Sequence, residues 1–189
     1  MNTTFSPSNV AKRSLFLAFA AMIMIVSVQK SSAQFGPNAN FKNKDLFVGA
    51  HLGLGGGWYS GFGPVVNVEY GVLPQLGVTA SAGFFSYTDV YSTYSWTYTS
   101  IPIIIGANWH FDLLKVKQLD TWVGAGAGYT FGSWSSSDPD RAYRGSVGSY
   151  FSWDGRLGAR YYFTDKLAAK LELGYWSLGY LRLGVDFKL

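Results

Sequence analysis

Eight ionisable side chains of both signs interrupt apolar stretches, the last seven all at even positions: Glu69, Asp154, Arg156, Arg160, Lys170, Glu172, Arg182 and Asp186. Such a set can bind a metal, run acid–base chemistry, or neutralise itself in ion pairs. Metal binding is the first to go. The chain has no Cys, and its only histidines, His51 and His110, show no HxxxH spacing, so no metal site is expected. Nucleophilic catalysis needs a serine, a histidine and a carboxylate gathered in one place. Neither histidine falls where that is expected, so no catalytic residue and no cofactor are assigned. GAGAG (124–128) has glycines at i, i+2 and i+4, not the spacing of a dinucleotide loop, and GLGGG (53–57) lacks the Lys-Ser/Thr of a phosphate loop. Ion pairing remains, and it requires an element that gathers the charges on one side.

The stretch FSWDGRLGARYYF (151–163) shows which element. Odd positions carry Phe151, Trp153, Gly155, Leu157, Ala159, Tyr161 and Phe163; even positions carry Ser152, Asp154, Arg156, Gly158, Arg160 and Tyr162. A period of two separates the sets completely, one per face of a strand, whereas a helix would scatter them. The same alternation runs through LFVGAHLGL (46–54), PVVNVEYGV (64–72), LGVTASAGF (76–84), IPIIIGANWHF (101–111), TWVGAGAGYTF (121–131), LAAKLELGYW (167–176) and YLRLGVDFKL (180–189). Eight strands are predicted, of lengths that suit the about 9–11 tilted residues needed to cross a bilayer.

The ends and the composition agree. Lys12 and Arg13 precede an apolar run, SLFLAFAAMIMIVSV, and Ser31, Ser32 and Ala33 follow it. That is the pattern of a cleaved secretory signal peptide over 1–33. A lead-in over 34–44 and a barrel over 45–189 follow. Lys12, Arg13 and Lys30 leave with the leader, so fifteen basic against eleven acidic residues becomes twelve against eleven. The basic pI is therefore largely a leader effect and offers nothing for nucleic-acid binding.

Aromatics tell which face is outermost. Trp109, Phe111, Tyr161, Phe163 and Phe187 lie on the apolar face near the short turns. Phe84, Tyr129, Phe131, Phe151, Trp153 and Tyr175 lie on it near the long connections. Two aromatic girdles around an aliphatic belt match two membrane–water interfaces. The apolar face is thus expected to meet outer-membrane lipid and lipopolysaccharide, with the charges inside. The connections are short at 71–75 and 164–166, and long at 55–62, 86–98 and 133–149. Two exceptions are 112–120, long for a periplasmic turn, and 177–179, short for an outer loop.

With these features the chain resembles the small eight-stranded outer-membrane barrels, the OmpA-barrel and OmpX-like group. The likeness covers roughly residues 44 to 189 and includes a final alternating strand ending Phe187-Lys188-Leu189. The usual form of that ending is a terminal aromatic; here Phe187 stands third from the end. The resemblance implies an all-β, antiparallel up-and-down transmembrane barrel in the outer membrane of a Gram-negative bacterium, with both termini periplasmic. It also implies the barrel-insertion machinery as a partner.

An eight-stranded barrel is only wide enough for its side chains to fill. Adding Lys188, the inward set holds four acids and five bases, and buried charges must pair. Three-residue turns at 164–166 and 177–179 would set Gly158 opposite Glu172, Arg160 opposite Lys170, Lys170 opposite Asp186, and Glu172 opposite Gly184. Glu172, flanked by glycines with Arg156, Arg160 and Arg182 diagonal to it within about 7–8 Å, is then expected at the centre of the network. Both histidines are expected to face inward as hydrogen-bonding groups. The GAGAG glycines leave room for Arg156, Arg160 and Tyr162. The Tyr-, Trp- and Ser-rich connections 86–98 and 133–149 have the chemistry of a contact surface for a protein partner; equally, they extend the upper girdle into protruding strands. The functional expectation is a plugged barrel, structural or adhesive, or an accessory subunit of an envelope complex. A narrow gated channel and a lipid A-modifying enzyme are the alternatives.

Overall fold

The computed structural model describes residues 40–55, 61–91, 93–137 and 148–189. The expected leader (1–33) and most of the lead-in lie outside these residues. Nine strand segments are found among them: β1 (Leu46–Leu54), β2 (Phe62–Leu73), β3 (Leu76–Gly83), β4 (Phe85–Tyr91), β5 (Tyr94–Phe111), β6 (Leu119–Ser136), β7 (Tyr150–Tyr162), β8 (Leu167–Trp176) and β9 (Leu181–Lys188). β3 and β4 are halves of one strand. Ala82 pairs with Ile103 and Phe85 with Ser100, so the register against β5 is unbroken across Phe84. The Phe84 amide instead reaches the Pro64 carbonyl at 3.0 Å.

All pairings are antiparallel, each strand with its chain neighbours, and β1 closes on β9. The result is a closed eight-stranded up-and-down barrel. Closure leaves no backbone edge unpaired around the wall, which is what a sheet surrounded by hydrocarbon requires. Along β1 and β2 burial alternates residue by residue. The predicted outer face stays exposed, including Val48, Val66, Ile105, Leu171 and Val185. Ten of the eleven predicted girdle residues are exposed on it. Phe111 is the exception, at 8% exposure. Its cross-strand partner Thr121 is also buried and donates its hydroxyl to the Phe111 carbonyl at 2.5 Å. At this corner, where the 112–118 connection leaves the wall, protein screens the ring.

Two further expectations change. First, most of 86–98 and the start of 133–149 are strand, not loop; residues 138–147 lie outside the described set. β5 and β6 each run 18 residues. Their outward face switches from Ile101 and Phe131 to Thr99 and Ser133 one pair higher. Above that level the outward face carries hydroxyls, including Thr88 and Thr97, whose oxygens lie 2.9 Å apart. The switch marks where the wall passes from lipid to water. Second, the β8–β9 register is shifted by two. Glu172 faces Arg182, and Lys170 faces Gly184. The connection is longer than three residues because Leu178 turns into the barrel mouth, fully buried against Val65 and Ile104. Gly179, at φ 104°, makes the return possible. The β7–β8 register has Gly158 opposite Glu172 and Arg160 opposite Lys170.

Gly158 is required by close approach. A Cβ there would strike the Trp122 indole, whereas one at the neighbouring Gly155 would meet only Trp153 Cζ3 at 3.9 Å. Gly158→Val should therefore lose roughly 1–3 kcal/mol of stability. Gly155→Val should stay within about 0.5 kcal/mol. Urea unfolding in lipid vesicles, followed by tryptophan fluorescence, reads both.

Candidate functional site

The alternation that places aliphatic residues outside delivers the charges to the lumen. β2 contributes Glu69, β6 Asp120, β7 Asp154, Arg156 and Arg160, β8 Lys170 and Glu172, and β9 Arg182 and Asp186. All of them are buried. The β1 and β5 walls add His51, Asn108 and His110.

Arg160, not Glu172, stands at the centre. Its three nitrogens spread over three strands: Nη2 to Glu69 Oε2 at 2.5 Å, Nη1 to Asp120 Oδ2 at 3.2 Å and Nε to Asp186 Oδ2 at 2.7 Å. The guanidinium is sandwiched between rings, 4.0 Å from the Phe47 centroid and 4.9 Å from that of Trp122. Only the planar fork of arginine can serve three carboxylates and two aromatic faces together. His51 Nε2 lies 2.8 Å from the other oxygen of Asp186. His110 bridges Asp120 Oδ1 (2.8 Å) and Glu69 Oε1 (2.9 Å) through its two ring nitrogens.

A second group lies beside it. Arg156 donates to Asp154 Oδ2, Asn108 Oδ1 and Thr79 Oγ1, each at 2.7 Å. Arg182 Nη2 approaches Asp154 Oδ1 at 3.3 Å, and its Nε approaches Glu172 Oε2 at 3.4 Å. Lys170 joins the two groups, with Glu172 at 3.6 Å and Asp186 at 3.7 Å. Asn108 joins them again, donating to Glu69 Oε1 at 2.7 Å. Gly124 supplies the room for the Arg156–Asn108 bond, since a Cβ there would strike Asn108 Oδ1 and lie 3.0 Å from Arg156 Nε. Glu172 is a peripheral member, held by Lys170, Arg182 and the Trp122 indole N–H at 3.2 Å.

Sequence reasoning missed Asp120 and Trp122. By pattern, Asp120 belongs to the connection before β6. Trp122 has the parity of the inward glycines, and that parity is its available signal. The stopper at the terminal end was also missed. Phe41, from the lead-in, stacks on His110 with centroids 3.6 Å apart and planes 5° apart. It clusters with Phe47, Tyr162 and Ala168.

Five lumen carboxylates face four permanent cations among the described residues, and each ring nitrogen of His110 lies within hydrogen-bond distance of a carboxylate oxygen. What this arrangement does chemically is pair its own charges. A polar void lined in part by Asn67, Thr79, Arg156 and Glu172 measures about 10 Å³, close to the room of one water and too small to pass a hydrated ion. Among the described residues no cluster of His, Cys, Asp and Glu could hold a metal.

The sequence matches the family described as the outer membrane protein beta-barrel domain over residues 15–188. A comparison with curated proteins found no match. Among solved structures, the outer membrane protein OprG of Pseudomonas aeruginosa is 12% identical with a TM-score of 0.56, covering 80% of this chain and 98% of that one. A major outer membrane protein of Thermus thermophilus is 17% identical at TM-score 0.52, with 77% and 99% covered. A de novo designed transmembrane β-barrel is 18% identical at 0.51, with 78% and 98% covered. At these identities the likeness is one of fold.

Removing the central cation leaves three carboxylates short of a partner in a closed space. Arg160→Met is expected to cost about 3–5 kcal/mol. Arg182→Met, whose contacts are longer, should cost less. Urea titrations of both variants in the same vesicles give the order.

Proposed function

The chain belongs to the outer membrane protein β-barrel family, and from that premise we propose that it is a non-conducting barrel whose work is done at its surfaces. The observation that carries this reading is the stoppered lumen. Phe41 with Phe47 closes the terminal end, and Leu178, Val65, Ile104 and Phe85 close the other. Between them lies the internally paired ion network. We place the termini in the periplasm. The connections at that end are mostly short, while the strands at the other end rise beyond the girdle, the asymmetry of outer-membrane barrels.

The raised sheet of β4, β5 and β6 is the contact surface in this reading. Its inward side carries Tyr87, Tyr98 and Trp134 in one cross-strand row. Its outward side carries serines and threonines. Large rigid rings beside adaptable hydroxyls suit a macromolecular partner, as in binding loops. An adhesive role, or an accessory place in an envelope complex, follows from such a surface. The enzyme alternative lacks support in the geometry: both histidines sit within the lumen on carboxylates, away from the lipid-facing rim where acyl transfer would occur.

Purified protein in planar bilayers is expected to show no steady open level. Steady openings that change with Glu172→Gln would instead establish a gated channel. Cross-linking in intact cells from positions 88 and 135 should capture a discrete protein adduct, and labels at 112–118 should not. Adducts equally frequent from both ends would remove the contact reading.

A further inference from the structure

The described lysines are distributed unevenly. Lys170 is in the lumen; the other six, Lys42, Lys44, Lys115, Lys117, Lys166 and Lys188, all lie at the terminal rim. Three acids, Asp45, Asp112 and Asp165, share that rim. Within this collar is a polar pocket of about 470 Å³. The lead-in supplies Asn40 and Lys42 to its lining, the β5–β6 connection Lys117, the β7–β8 turn Phe163 and Asp165, and β9 Lys188.

The groups in the pocket have distinct duties. Lys188 is committed: its ammonium lies 2.6 Å from Asp45 Oδ2 and 3.1 Å from the Asn40 carbonyl, tying the lead-in to the last strand. The Asn40 amide donates to the Lys117 carbonyl, which joins the lead-in to the β5–β6 connection. The pocket is therefore built by four separate segments braced against one another. Lys42 and Lys117 are exposed and make no ion pair among the described residues. They give the pocket positive charge that no ion pair among the described residues takes up. Asp165, on the β7–β8 turn, opposes them only in part.

Position selects among anions. Phe163 forms part of the pocket and is also a girdle residue, 64% exposed on the lipid-facing side. Lys166 lies over the ring of another girdle residue, Phe187, at 5.9 Å. The pocket therefore opens where the apolar wall meets the polar rim. A ligand with an acidic head and a hydrocarbon tail can use both at once, the head between lysines and the tail along the wall. A soluble anion would use only the first.

We propose that this pocket holds the phosphate headgroup of an anionic phospholipid, with Lys42 and Lys117 as the ligating cations and Phe163 as the hinge where the acyl chains turn onto the barrel wall. The site lies at the rim, outside the ion network of the lumen, and shares Tyr162 with the cluster at the terminal end. With the termini in the periplasm, as proposed above, it would be filled from the inner leaflet of the outer membrane, and it would anchor the barrel at that depth.

Native mass spectrometry of the full mature chain in detergent tests this without reference to orientation. The probes are phosphatidylglycerol and phosphatidylcholine with identical acyl chains. Phosphatidylglycerol should be retained on the protein, phosphatidylcholine much less. The double variant Lys42→Gln/Lys117→Gln should lose that retention roughly tenfold or more. Lys115→Gln, at the same rim outside the pocket, should keep it. Unchanged heat-modifiability on gels verifies that each variant is folded. Equal retention of the two lipids, or full retention by the double variant, would overturn the proposal. So would displacement of phosphatidylglycerol by millimolar inorganic phosphate, which would mark a site for a soluble anion. None of these failures would alter the bilayer conductance or the cross-linking pattern, so the non-conducting reading stands or falls separately.

Discussion

A wall one residue thick, with hydrocarbon on one side and a side-chain-filled space on the other, governs everything else in this molecule. Each strand must send alternate residues to opposite solvents. The outer set can hold no charge, because an ion against acyl chains is costly. The inner set is released from that limit but meets another. A narrow lumen filled by buried side chains offers little water, so every ion placed there must be paired with its neighbours.

The network meets that demand through Arg160. One guanidinium ties β7 to β2, β6 and β9 across the bore, so its bonds span the barrel. His110 on β5 bridges Asp120 and Glu69, and Phe41 of the lead-in stacks on it within the terminal mouth of the barrel. The ions that fill the lumen thus also tie the strands of the wall together. Glycines and bulky residues are matched between adjacent strands in the same spirit: Gly158 yields to Trp122, and Gly124 to Asn108 and Arg156. The pore is filled by paired choices on adjacent strands, since an eight-stranded barrel leaves no slack.

Strand existence and facing could be read from sequence because a period of two is unambiguous over nine or more residues, as in 151–163. The β7–β8 register was equally legible, because the turn 164–166 is tight and polar. Three features were not. Asp120 follows the irregular run DLLKVKQL, so no alternation identified it as inward, and without it Glu172 looked central. Leu178 sits in what reads as a three-residue turn, yet its burial in the barrel mouth lengthens the connection and moves the β8–β9 register by two. Phe41 belongs to a segment without periodicity, and its role emerges only from the ring it covers. Where Ser, Thr, Tyr and Trp crowd 86–98, loop and protruding strand share one composition; cross-strand pairing, a non-local property, decided for strand.

The most direct measurement uses three consecutive isoleucines of β5. Ile103 and Ile105 face outward, and Ile104 lies within the upper stopper at 1% exposure. Their methyl signals can be recorded in bicelles with two paramagnetic agents, a doxyl-labelled lipid and a water-soluble gadolinium chelate. The account predicts strong broadening of Ile103 and Ile105 by the lipid agent, and an Ile104 signal untouched by either. Broadening of Ile104 by the lipid agent would contradict the facing of the wall; broadening by the aqueous agent would contradict its closure.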